Sequence, residues 1–152
     1  MNTLDEYERK TIGYATLAVL AHAAAVGVHS LAHTRVGVYA GPLGNLFILV
    51  VVMAAPLVAA ALFRTRARRA AALVLLASMA GSLAFGVYNH FVAVSPDHVL
   101  HVPGPEGWRR VFQVSSVVLA LTEVAGVGVG AWALGRARAG GSPDSEVVTP
   151  NS

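Results

Sequence analysis

The sequence predicts an all-α integral membrane protein, a four-transmembrane-helix antiparallel bundle with a long extracytoplasmic loop between helices 3 and 4. Residues 12–33, 43–63, 70–92 and 111–122 contain no Lys, Arg, Asp or Glu. Crossing a bilayer takes about 20 mostly apolar residues. Four such runs in 152 residues leave no sequence for a separate soluble core. The composition agrees: 55% of residues are hydrophobic and 12% charged, with a mean hydropathy of +0.61, whereas soluble domains carry about 25% charged residues.

The charges fall between the apolar runs, where they set orientation. Arg9 and Lys10 precede the first run, Arg64, Arg66, Arg68 and Arg69 join the second to the third, and Arg136 and Arg138 follow the fourth. Those eight share one side of the membrane, and the other side holds Arg35, Arg109 and Arg110. The excess places both termini in the cytoplasm of a multi-pass cell-membrane protein. It also accounts for the isoelectric point of 9.8 without nucleic acid as a partner. The lipid bilayer is the expected partner, together with a homo-oligomer or a larger membrane complex.

Residues 1–10 read as a cytoplasmic stub, since "MNTLDEYERK" is acidic before it is basic, unlike the start of a signal peptide. The first span, about 11–32, is therefore expected to be retained. A Gly- and Pro-containing turn, "TRVGVYAGPLGN", leads to the second span at 43–63. There Pro56 removes a backbone hydrogen bond and should kink the helix, which membranes tolerate where a neighbour re-satisfies the carbonyl. "RTRARR" connects to the third span at 70–92. The following segment, "VAVSPDHVLHVPGPEGWRR", is longer than a hairpin needs and too apolar for simple disorder, so it should fold back over the bundle. The fourth span covers 111–134, giving a membrane domain of 11–135, and residues 136–152 form a polar tail expected to be disordered. Gly126 and Gly130 form a GxxxG pattern that serves either tight internal packing or a homodimer.

The chain has no cysteine, which excludes disulfides and thiolate-ligated metals. Its six histidines carry the chemistry. At 100° per residue, His22, His29 and His33 fall within an arc of about 40° on the first helix. Ionisable residues inside a membrane usually face the bundle interior and mark function. At about 1.5 Å per residue, His22 lies near the midplane, His29 about 10 Å outward and His33 about 16 Å outward. His90 in "YNHF" falls between His29 and His33 in depth. Glu123, the one acid inside a span, matches the depth of His22, and the two are expected to form a buried pair or proton relay. Gln113, Ser116, Ala120 and Glu123 share one face of the fourth helix.

Two histidines at i, i+4 project in parallel and can chelate one metal. His29 and His33, completed by His90, make a site of the three-histidine type, with Asp97, His98 or His101 as a further ligand. The spacing in "PDHVLH" lets these loop residues chelate if they form a helical turn. Tyr88 and Asn89, with Gln113 and Ser116, are candidates to orient the imidazoles from outside the site. Imidazole without thiolate points to a transition metal ion, Zn, Cu or Fe.

These residues support a membrane-embedded metal-binding protein with its site near the outer face, serving redox chemistry or metal handling. One alternative is an electron-transfer protein holding haem b between His29 or His33 and His90. Others are a proton- or ion-coupled transporter and an accessory membrane subunit. The bland readings are a register-fixing His22–Glu123 pair and exposed, inert His98 and His101.

Overall fold

The computed structural model describes residues 3–139, which hold helices and connecting turns and no strand. Helix α1 spans Thr3–Val36, α2 Pro42–Leu62, α3 Arg68–Val92 and α4 Glu106–Ala139. All four are long and apolar enough to cross a membrane. Their outward side chains are also apolar: Leu17, Leu20, Leu43, Leu49, Val114 and Leu121 are each more than half exposed. The expected stub at residues 1–10 is continuous with α1 from Thr3 onward, and α4 begins five residues before the expected span. Most of the expected tail, residues 140–152, lies outside the described residues.

Small residues set how closely the helices pack. α4 lies along both α1 and α3, and α3 along the second half of α2. At the end carrying the 63–67 turn, Ala15, Ala59, Ala71, Ala72 and Ala133 pack around Phe63, Leu75 and Met79. Arg68 grips the Glu8 carboxylate with both terminal nitrogens, tying the start of α3 to α1. A second apolar cluster, Ala32, Val36, Val38, Val102 and Phe112, closes the opposite end. Buried polar groups fill the space between: His22, His29, Ser82, His90, Ser116 and Glu123 among them.

The GxxxG pair is used inside the chain. A Cβ on Gly130 would stand 2.9 Å from the backbone nitrogen of Leu76, and one on Gly126 would stand 2.6 Å from Cγ of Met79. Both glycines are therefore spent on seating α4 against α3.

Two helices change register where chemistry demands it. In α2, residues Ile48–Ala54 are π-helical, ending two residues before Pro56. An α-helix would pair the Val52 carbonyl with the N–H of residue 56, and proline has none. His22 supplies the missing donor from α1, with Nε2 2.9 Å from that carbonyl. In α3, Tyr88–Val92 is also π-helical, with Ala93 N–H donating to Tyr88 O at 2.7 Å. This π-turn also ends the helix, since Ala93 is extended. Here the turn carries His90.

Two predictions follow from this packing. Gly130→Leu, which meets backbone, should destabilise the protein by about 1–3 kcal/mol, while Gly128→Ala, with nothing within 4 Å of its added Cβ, should be neutral or stabilising in denaturant unfolding in mixed micelles. His22→Leu should cost about 1–3 kcal/mol by orphaning the Val52 carbonyl. In a Pro56→Ala background the restored N–H can serve that carbonyl, so the same change should cost at least about 1 kcal/mol less. Equal costs in both backgrounds would detach His22 from the proline.

Candidate metal centre

His29 and His33 stand one turn apart on α1, and His90 reaches them from the π-turn of α3. The Nε2 atoms of His29 and His90 are 3.1 Å apart, as are those of His33 and His29. One nitrogen from each of the three rings lies within 4.8 Å of the other two. The Phe112 ring, fully buried, packs against all three, with centroids at 5.1, 4.9 and 5.3 Å.

The opposite edge of each ring is occupied. His33 Nδ1 lies 3.0 Å from the Val38 carbonyl, and His90 Nδ1 3.1 Å from the Asp97 carbonyl. A carbonyl only accepts, so both nitrogens carry hydrogen. His29 Nδ1 lies 2.9 Å from Ser115 Oγ, whose own hydrogen goes to the Phe112 carbonyl at 3.1 Å. His29 Nδ1 is therefore also a donor. A neutral imidazole has one N–H, so the Nε2 of His29 faces those of His33 and His90 as bare lone pairs.

The connecting segments are folded to make those acceptors available. Gly37, at φ 74°, ends α1 in the left-handed conformation favoured by glycine, and the chain turns back so that Val38 O meets His33. Residues 93–105 return over the cluster, as Val99 N–H donates to His90 O at 2.9 Å and Gln113 Nε2 donates to Val99 O at 2.7 Å. Gly104, at φ 95°, brings this segment against Val36, whose Cα would be 3.1 Å from an added Cβ.

Asp97 comes with that segment. Its Oδ1 is buried without a hydrogen-bond partner, 3.6 Å from His33 Nε2 and 3.4 Å from His90 Nδ1. Burial alone would raise the Asp97 carboxyl, but the adjoining His90 ring, with His33 and His29 beyond it, outweighs that and holds it below the ordinary carboxylate range. A cavity of about 200 Å³ opens beside the cluster, lined by the three histidines, Asp97, Ser82 and Glu123.

No family model matches the chain, and no curated protein or solved structure matches it. The site must be read from its own geometry.

Several expected partners lie elsewhere. His98, half-buried, and the exposed His101 lie in one hydrogen-bonded turn and pair with each other at 3.2 Å between Nδ1 atoms. His22 serves Val52 and does not meet Glu123, which lies in the cavity with the histidines. Tyr88 is 60% exposed, and Asn89 hydrogen-bonds within its own helix to Phe85 O. Neither orients an imidazole. Gln113 acts indirectly, by holding the loop. Ser116 donates to Phe112 O at 2.8 Å, and its neighbour Ser115 is the histidine partner. Ser115 and the Val38 carbonyl carried no signal in the sequence, since a serine facing lipid and a serine facing a ring look alike there.

Ser115→Ala should leave His29 Nδ1–H without an acceptor and destabilise the fold by about 1–3 kcal/mol. Ser116→Ala, which loses only a bond within its own helix, should cost less than half as much in the same unfolding assay.

Proposed function

We propose that this chain is a multi-pass membrane protein, an antiparallel four-helix bundle that holds one transition metal ion through Nε2 of His29, His33 and His90. The observation that carries the reading is the convergence of three bare nitrogen lone pairs, all three rings being locked through Nδ1. Lone pairs 3.1 Å apart repel unless a cation lies among them. With metal–nitrogen bonds of about 2.0–2.1 Å, a 3.1 Å separation subtends about 100°. That angle lies between the values of tetrahedral and facial octahedral coordination.

Asp97 is the carboxylate at hand for a fourth ligand: its orphaned Oδ1 lies 3.6 Å from His33 Nε2 and 3.4 Å from His90 Nδ1, so binding a shared ion draws it off the back edge of the His90 ring. A three-histidine, one-carboxylate set suits Zn, Cu or Fe. The oxygen acceptors on Nδ1 fix each ring and raise its basicity, the usual role of groups behind metal-bound histidine. On its remaining side the ion would face the cavity, and an open side of that kind distinguishes working sites from purely structural ones. Redox chemistry or metal handling is the reading we favour.

The geometry favours a single ion over haem b. Bis-histidine haem needs imidazoles on opposite faces of a macrocycle, whereas these three rings point at one spot. It also favours a site over a conduit, because the 63–67 end of the bundle is packed with Phe63, Leu75, Met79 and alanines. The positive-inside pattern of the charges supports a site toward the outer leaflet.

Purified protein should contain about one equivalent of metal by elemental analysis and show no Soret band. His29→Ala and His90→Ala should each lose the metal, and Asp97→Asn should weaken zinc affinity by at least about tenfold. A folded wild type without metal after zinc loading overturns the reading, and metal retained by both alanine variants puts the ligands elsewhere.

A further inference from the structure

The cavity beside the histidines continues to a wall built from groups that metal binding leaves unused. Glu123 and Ser82 line it, 2% and 1% exposed. The Ser82 hydroxyl has no hydrogen-bond partner, and the Glu123 carboxyl makes none of the hydrogen bonds found among the described residues. Buried polar groups are rarely left so, because each one unpaired costs free energy. Together they offer an acceptor and a donor to whatever enters. Oε2 of Glu123 and Cδ2 of His90 lie 3.8 Å and 3.9 Å from the point where a Cβ on Gly86 would stand. Gly86 thus borders the space that connects this wall to the metal-binding cluster.

The rest of the wall is apolar, with Phe85, Ile48 and Leu119 contributing. At about 200 Å³ the cavity is ring-sized, since an apolar cavity of about 150 Å³ binds benzene. Its mouth lies between α1 and α2, where Ser30, Thr34 and Asn45 are exposed. α1 meets α2 chiefly through Ala55–Leu62, so the two helices stand apart near the histidines. A second cavity of about 190 Å³ shares Val26, Ser30 and Val52 with the first and extends the same seam. Entry is therefore sideways, between helices.

We infer that this cavity binds a single-ring organic molecule bearing a hydroxyl group, phenol being the simplest case. Its hydroxyl is held by Glu123 and Ser82, and its ring lies against the apolar wall. A hydroxyl both donates and accepts, which matches the two unpaired groups. An unsubstituted ring leaves both unpaired, and an anionic headgroup meets the Glu123 carboxyl. The inference goes beyond the metal reading and does not require the ion.

The test is fluorine NMR of the full chain in micelles with 4-fluorophenol and 4-fluorotoluene at matched micelle loading, with zinc and after chelation. Wild type should bind the phenol at least about tenfold tighter than the toluene. Glu123→Gln and Ser82→Ala should each remove most of that preference while zinc content stays unchanged. Equal affinity for both probes, saturable binding of neither, or a preference that survives both substitutions overturns the inference. If Glu123→Gln fails to fold, Ser82→Ala decides. Zinc content is read on the same samples, so a missing metal sinks the metal reading alone and a missing preference sinks this one alone.

Discussion

An imidazole buried among apolar side chains must find a partner for its N–H, and in this chain that need is met three times at one place. The acceptors come from three different elements: the turn after α1 gives Val38 O, α4 gives Ser115 Oγ, and the segment 93–105 gives Asp97 O. Each such bond is worth only about 0.5–1.5 kcal/mol net, yet leaving one N–H unpaired costs about 1–3 kcal/mol. The cluster therefore forms only where all three elements have arrived. Gly37, Gly104 and Gln113, none of which touches the imidazole nitrogens, matter because they bring those elements in.

The two π-helical stretches answer the same kind of demand from opposite directions. In α2 the register change and His22 together absorb the hydrogen bond that Pro56 cannot make. In α3 the register change is followed by a chain that leaves the helix at Ala93 and turns back onto it through Val99. That return places Asp97 against the ring of His90. In lipid, with no water to cover an exposed carbonyl or N–H, helices can bend or shift register only where such partners exist. The polar side chains of the interior are thus spent in two ways, on backbone in the case of His22 and on one another in the case of the triad.

Much of this could be read from the residues. Four uncharged runs named the helices, and the face shared by His29 and His33 follows from helical geometry alone. The depth of His90 matched because α3 has nearly its expected length. What failed was pairing across helices. Equal depth put His22 with Glu123, but depth says nothing about rotation, and His22 turns instead to the Val52 carbonyl of α2. One residue along a helix is a turn of about 100°, which is why Ser116 was expected where Ser115 stands. The loop histidines shared a spacing with Asp97 but not a direction, and only the fold of 93–105 decides which side chain points inward. The acceptor at Val38 was invisible because it is backbone.

The distribution of packing explains why chemistry collects at one end. Where alanines and glycines let the helices touch, as around Ala71, Ala72 and Gly130, there is no room for anything but side chains. Toward the histidines the first half of α2 stands away from α1, and the volume so released is the cavity. A bundle uniformly tight would bury no polar group that it could not pair internally. A bundle that opens at one end can keep Glu123, Ser82 and the Asp97 Oδ1 unpaired in the folded chain, provided something else supplies their partners. Those unpaired atoms and the lone pairs of the histidines border the same space, where a ligand can correct them, whereas His22 Nδ1 and Arg68 Nε are left unpaired away from it.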